Sequence, residues 1–340
     1  LIFVQQISIA GAAIAVLVVA AGAASAQEPR ERSVSPWFIY RGEESIEAIR
    51  SHSHAISSIS ALGGFDERFV EQCHELGIEV LILVGGEEEE LATPEGRKQL
   101  IDSWVSRCEK LGADGIDVDY EALPEGFGEP TRALLRDASE ALHAAGLRLS
   151  ICVAYELCTW QIPADPRPGE VQIRNWYDPA TIAETCDVVR VMCYDMHSLS
   201  SKSIGPVSTR PWARDAMGFW MRYVPVEKLV MGLPTYSRDL TMTMQRPADS
   251  VYGPMPDVSD GTEMQRQWLP YEEINQYRYV DDDGLLPLFF ASDADSTRAH
   301  FITAGELGIP TIGFWHYGAI TQEQWSVVNE WLGGDAGADG

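Results

Sequence analysis

Hydrophobic residues along this chain fall into short runs separated by amphipathic stretches. Eight β-rich runs stand out, at about 34–40, 55–62, 78–84, 114–120, 147–154, 187–194, 229–236 and 309–315. Between them the spacing predicts helices at about 43–50, 66–76, 94–111, 129–145, 213–223, 296–307 and 321–331, with a short one opening at Asp178-Pro179. Thr93-Pro94 supplies an N-cap and a first-turn proline, and Gly112 and Gly146 close the helices before them. Eight strands interleaved with helices predict an α/β chain of (β/α)8 barrel type, the TIM barrel. An irregular stretch at 237–286 reads as a small insertion between strand seven and its helix. The rival architecture is an open doubly wound sheet. The strand count favours the barrel, as do the polar and aromatic residues at the C-terminal ends of several strands, where barrel active sites form. Gly63-Gly64 and Gly85-Gly86 match no phosphate-binding loop.

The first 27 residues carry no charge, residues 9–24 are almost unbroken apolar sequence, and Ala24-Ser25-Ala26 is a small-x-small site. This predicts a secretory signal peptide at 1–26 and a catalytic-type barrel over 27–340, hence a secreted or periplasmic protein. An uncleaved anchor helix is the alternative, because the run approaches spanning length. An even number of cysteines, six, permits disulfides in an exported chain. Most of them sit inside apolar runs without metal-type spacing, so buried free thiols are expected.

Charge changes the picture of the partners. The chain has 25 Lys+Arg against 51 Asp+Glu, a formal net charge of −26. Such a surface repels phosphates and anionic lipid heads, so nucleic-acid and membrane-surface roles are not expected. Only Lys98, Lys110, Lys202 and Lys228 are lysines. Abundant acids with few lysines suit a saline medium that screens self-repulsion.

The fourth run holds the most informative chemistry. Ile116, Val118 and Tyr120 alternate with Asp117, Asp119 and Glu121. At period two the three acids share one face of the strand, with alternate Cα atoms about 6.6 Å apart. In a barrel the apolar set packs on the helices and the acids climb the interior towards the mouth. Stacked carboxylates must pair, share protons or be hydrogen-bonded, and the crowding keeps one protonated near neutral pH beside an ionised partner. Glycosidic cleavage needs such a general acid. A solvated edge strand and a purely structural network are the bland alternatives. A calcium site is another, although its ligands come from a curled loop rather than one straight strand. Asp281-Asp282-Asp283-Gly284 reads as a turn.

With Asp114 added, these residues spell D-x-x-D-x-D-x-E, and the chain resembles glycoside hydrolase family 18, the chitinases, chitobiases and related endo-β-N-acetylglucosaminidases. Met192-Cys193-Tyr194-Asp195, Met231 to Arg238 and Gly313-Phe314-Trp315 resemble further family segments, in the expected order. The resemblance spans about residues 34–331, and it implies that 237–286 is a reduced form of the family's small α+β insertion, with 269–274 its recognisable part. Departures are Leu83-Val84 before Gly85-Gly86, Cys193 inside its motif, and Met196-His197 after Asp195. The resemblance implies hydrolysis of N-acetylglucosamine glycans without metal or cofactor, by attack of the substrate's own acetamido oxygen. Glu121 would be the acid and base, Asp119 would hold the acetamido N–H, Asp117 would share a proton with Asp119, and Tyr194 would bind the acetamido oxygen. Trp315 would floor the sugar and Met192 would lie under the acetamido methyl. Asp114, Asp195, Tyr236, Arg238 and Tyr40 complete the candidate contacts, with Tyr40 leaning structural. Trp37, Trp160 and Trp212 are candidate outer platforms, and His197 reads as a loop residue. A monomer is expected. The alternatives are a chitinase-like lectin, which would ordinarily lack Glu121, or an enzyme of N-glycan cores or peptidoglycan.

Overall fold

A computed structural model describes residues 31–85, 88–121, 123–124, 126–154, 176–197, 205–239, 249–252, 264–280 and 288–333, with backbone alone at 238–239 and 249–252. The predicted leader, Trp160, Cys158 and the 281–284 turn lie outside these residues. The barrel strands are β1 (Ser33–Val34), β2 (Trp37–Ile39), β3 (Ser58–Leu62), β4 (Glu79–Val84), β5 (Gly115–Val118), β6 (Arg148–Ala154), β7 (Val188–Met192) and β8 (Leu229–Pro234). An insertion follows with β9 (Tyr236–Asp239), β10 (Asp249–Tyr252), β11 (Gln265–Leu269), β12 (Ile274–Arg278) and β13 (Leu288–Ala291), before the last barrel strand, β14 (Thr311–Trp315). The helices are α1 (Glu44–Arg50), α2 (Glu67–Glu75), α3 (Glu88–Ala92), α4 (Pro94–Leu111), α5 (Gly128–Ala144), α6 (Pro179–Thr185), α7 (Arg210–Trp220), α8 (Ala294–Leu307) and α9 (Gln322–Leu332).

Pro36 shapes the closure of the ring. The parallel sheet runs β1-β14-β8-β7-β6-β5-β4-β3-β2. Its two ends, β1 and β2, are consecutive in the chain, so the sheet is a closed (β/α)8 barrel. The first predicted strand is thereby split, because proline has no N–H to continue a ladder. Ser35 N–H still donates to Ile312 on one side (2.7 Å), and Ser60 N–H donates to the Pro36 carbonyl on the other (3.0 Å).

Caps fall where the sequence places them. Thr93 accepts the Gly96 N–H at 3.1 Å, and Gly112 ends α4 in the left-handed region at φ 70°. Glu88, Glu89 and Glu90 form the first turn of the short helix α3. Helix α7 starts earlier than expected, capped by Thr209 with Pro211 in its first turn. The insertion, irregular by its residues alone and a reduced α+β unit by the resemblance, carries an antiparallel sheet in the order β10-β9-β13-β12-β11.

Outward-facing strand residues and inward-facing helix residues form the main core, from Val34 and Ile116 to Phe314 and Trp331. The barrel interior holds a separate, smaller cluster of Trp37, Cys152 and Met192. Cys73, Cys108, Cys152, Cys186 and Cys193 are buried free thiols, as their apolar setting predicts. Among the described residues no helix is long and apolar enough to cross a membrane, and no cluster of metal-type ligands occurs.

Two matching clamps close the end of the barrel opposite the strand C-termini. Asp114 Oδ2 accepts the Val80 N–H (2.7 Å) and faces His74 Nε2 (2.8 Å). Asp187 Oδ2 accepts the Leu149 N–H (2.9 Å) and faces His143 Nε2 (2.9 Å). In each, a histidine at a helix C-terminus reaches the aspartate that precedes a strand.

His300 on α8 is buried, with Nδ1–H donating to the Ser296 carbonyl (2.6 Å) and Nε2 accepting from the Ser208 hydroxyl (2.9 Å). Burial, reinforced by the Arg210 charge, holds this imidazole down to about 4 against an ordinary 6.5. Between those values the unfolded chain takes up a proton that the folded chain refuses. Stability is therefore expected to fall as pH drops from 6.5 to 4, by up to about 3 kcal/mol from this group. Urea midpoints at pH 7 and 4.5 should show His300→Gln losing less stability on acidification than the wild type.

Candidate active site

The carboxylate ladder rises from buried interior to open mouth. Asp117 is fully buried, Asp119 half-buried and Glu121 exposed, while Ile116, Val118 and Tyr120 pack outward into the core. The Asp119 N–H donates to Val84 (2.8 Å) and carries the β5 register one residue past the strand. The Tyr120 carbonyl accepts from Trp176 Nε1 (3.1 Å) and the Tyr177 hydroxyl (3.3 Å), which fixes the chain just before Glu121.

Asp117 is held from three other strands. Ser60 on β3 donates to Oδ2 at 2.5 Å, Cys152 on β6 at 3.4 Å, and Arg190 Nε on β7 lies 3.2 Å away. Both members of the Arg190–Asp117 pair have no exposed side-chain surface. Arg190 also donates to the Ser35 carbonyl (2.7 Å) and hydroxyl (2.8 Å), and its guanidinium lies 5.6 Å from the centre of the Trp37 ring. Sequence reasoning missed Arg190, Ser60 and Cys152. Arg190 had a signal: it is the one charge in the apolar run Val188 to Met192, at an inward position of the alternation.

Trp37 forms the floor. Its indole is fully buried and meets Tyr194 edge-on (centroids 5.8 Å apart) and Trp315 likewise (6.1 Å). A Cβ at Gly232 would come within 2.8 Å of the Trp37 ring, and one at Gly313 within 3.1 Å, so both strands need glycine beside it. The expectation of Trp37 as an outer platform is corrected: it is interior packing beneath the site. Trp212 is likewise corrected, buried in α7 against the main core.

Tyr194, Tyr236 and Asp195 line one side. Tyr194 and Tyr236 approach to 6.3 Å between ring centres, and the Tyr236 hydroxyl donates to Asp195 Oδ1 at 2.5 Å. Asp195 adopts φ 60°, a left-handed conformation unusual outside glycine, at the end of β7. Burial first, then the neighbouring Cys152, Asp119, Tyr236 and Glu121, pushes the Tyr194 phenol well above its usual range. It therefore stays a hydrogen-bond donor. Burial, and then Asp117 and Asp119, likewise keeps Cys152 a thiol. Met192 is buried against Trp37 and Cys152. Trp315 is half-buried at the end of β14, its carbonyl fixed by the Thr235 hydroxyl (2.6 Å) and N–H (2.9 Å).

The remaining candidates are set apart from this cluster or fall outside the described side chains. Asp114, expected to touch substrate, is at the opposite end of β5 in the His74 clamp, with its Oδ2 committed to Val80 and His74. Tyr40, half-buried just past β2, packs on Phe69 (5.0 Å) and Phe65 (6.3 Å). The Arg238 backbone lies in β9, and its side chain is outside the described residues. His197 is a buried loop residue whose Nδ1 donates to the Pro206 carbonyl (2.9 Å).

A closed parallel barrel with acids ascending one strand to a tyrosine- and tryptophan-lined mouth is an arrangement that fits a glycoside hydrolase. The profile of "Glycosyl hydrolases family 18" matches residues 46–319, and the chain belongs to that family. It is 22% identical over 320 residues to the cortical fragment-lytic enzyme of Bacillus subtilis, covering 88% of this chain and 69% of that one. It is 29% identical over 171 residues to mouse chitotriosidase-1, covering 45% of this chain and 35% of that protein. The chitinase of Chromobacterium violaceum has the same fold, with TM-score 0.73 at 18% identity, covering 88% of this chain and 99% of that one.

Proposed function

We propose that the protein cleaves β-linked N-acetylglucosamine glycans by substrate-assisted retention, chitin oligosaccharides first among them. The observation that supports this most is the graded ladder, from a buried and paired Asp117 to an exposed Glu121, beside a phenol kept protonated. Glu121 protonates the leaving oxygen, and the substrate's acetamido oxygen attacks the anomeric carbon to form an oxazolinium ion. Asp119 accepts the acetamido N–H and offsets the positive charge that develops there. The Tyr194 hydroxyl donates to the acetamido oxygen and turns it towards the anomeric carbon. Asp117 Oδ1 has no hydrogen-bond partner among the described residues and is free to take a proton shared with Asp119. Glu121 then takes a proton from the water that opens the oxazolinium ring. Trp315 and Met192 supply the apolar bed for the sugar and its methyl group.

Peptidoglycan is the second reading, favoured by the likeness to a cortical fragment-lytic enzyme over most of the chain. Its N-acetylglucosamine units carry the same acetamido group. Assays on aryl chitobioside, aryl chitotrioside and purified peptidoglycan separate the two. Aryl cellobioside, with a hydroxyl in place of the acetamido group, is expected to be inert. Turnover of it would remove substrate assistance. Asp119→Asn should lower kcat at least ~10²-fold on the preferred glycan, the scale of a lost transition-state contact. Sugar binding without any product from the wild type would instead indicate a lectin.

A further inference from the structure

The antiparallel insertion carries a feature that the catalytic ladder leaves unused. Edge strand β11 is solvent-exposed at Gln265 to Trp268, yet Trp268 is a large aromatic, 41% exposed, rather than the charged or small residue that usually protects an edge. Trp268 sits opposite Asn275 of β12, on the sheet face that also carries Arg266. This face and helix α8 line an open cavity of about 470 Å³, within the range of small-ligand sites. Ala299 and Ile302 give it an apolar wall from α8, and Glu273, Asp295 and Arg298 add charged groups around it.

Every charge in that wall already has its opposite. Arg266 pairs with Asp295, Arg298 with Glu330, and Glu273 with Arg210 (2.7 Å). The pairs also hold the cavity in shape. Asn275, itself fully buried, accepts from Arg266 Nε (3.0 Å) and donates to Asp293 (2.8 Å) and Asp295 (3.0 Å). An ionic ligand would find no unmatched charge, and a chain with net charge −26 would repel a polyanion. A protein partner would want a contiguous apolar core with few charges, whereas this indole is ringed by ion pairs. What the cavity offers is one flat apolar surface with fixed donors and acceptors around it. That suits a neutral, polyhydroxylated ring, whose C–H face packs on the indole while its hydroxyls meet the half-exposed carboxylate and guanidinium groups of these pairs.

We propose that the cavity between β11 and α8 is a second saccharide-binding site, which holds a neutral sugar of the polymer being cleaved and is centred on Trp268. The polymer's identity rests on the function proposed above; the site itself does not. A second attachment raises the local concentration of chain ends or loops at the mouth without a new catalytic contact. Long or insoluble substrates gain from it and short ones do not.

The test compares retention on insoluble chitin and on purified peptidoglycan, in the Glu121→Gln background so that substrate is not consumed, with and without Trp268→Ala. Trp268→Ala should weaken retention about tenfold on the polymer that the protein binds, the scale of one lost aromatic contact. Trp268→Phe should recover part of it. With Glu121 intact, Trp268→Ala should hydrolyse aryl chitobioside within twofold of the wild type. Equal retention with and without the indole overturns the proposal, as does failure of the parent protein to bind either polymer. A parallel loss on the aryl glycoside also overturns it, since Trp268 would then support the catalytic end. If aryl chitobioside is inert with the wild type, the chito-oligosaccharide reading fails, while the retention comparison still decides the second site. Thermal midpoints then report that the variant is folded.

Discussion

Glu121→Gln should fold as the wild type does and lose 10²- to 10⁴-fold in kcat, the usual share of a positioned proton donor. Glu121 is exposed at the top of the ladder, so an isosteric amide keeps the side chain's shape and places no new group in the interior. KM and the thermal midpoint should hardly move. The loss should also depend on the leaving group. A nitrophenolate departs without help, so its glycosides should be cleaved by the variant far better than a sugar alkoxide is released from a natural oligosaccharide. An equal loss across leaving groups would mean that the carboxylate acts other than as an acid. Undiminished turnover of the oligosaccharide would move the acid role elsewhere.

The second large effect is on stability. Arg190→Met keeps roughly the volume of the side chain but leaves Asp117 without its counter-ion in an interior with no exposed surface, held only by the Ser60 hydroxyl and the Cys152 thiol. Breaking one side of such a buried pair costs about 3–5 kcal/mol, because the remaining charge loses both water and its partner. The urea midpoint should drop accordingly at unchanged slope. Adding Asp117→Asn to Arg190→Met should return part of the loss, since a neutral amide needs no counter-ion. If Arg190→Met unfolds at the wild-type midpoint, the ladder does not depend on this cation.

The barrel was legible because its strands are buried on both faces and read as compact hydrophobic runs, each ending within a few residues of its predicted limit. The ladder was legible for the opposite reason. Acids at period two inside such a run must point into the barrel, where a carboxylate without a partner or a task is too costly to keep. Arg190 escaped because one arginine among valines looks like an accident until the strand is rolled into a ring that brings it to Asp117. Trp37 was misplaced since a tryptophan near a strand end looks the same from sequence whether it lies below the site or beside it. Only the glycines at 232 and 313, on strands far away in the chain, make room for it. The strands of the insertion were not legible from periodicity, because β11 exposes nearly its whole length and so carries no alternation; only the resemblance implied an α+β unit there. Helix α7 began before its predicted start although Thr209 and Pro211 repeat the signal used correctly at Thr93-Pro94.

The paired clamps below the barrel separate two kinds of change that the protein can undergo. His74–Asp114 and His143–Asp187 join helix ends to strand beginnings by the same geometry, each histidine preceding its donor residue by the same number of positions. This end of the molecule is a repeated fastening with no part in the ladder's chemistry. New loops at the mouth can therefore be exchanged in evolution or by engineering without loosening it. In the same way, a tether attached among α2, α5 and these strand starts would anchor the enzyme to a support with its cleft facing outward.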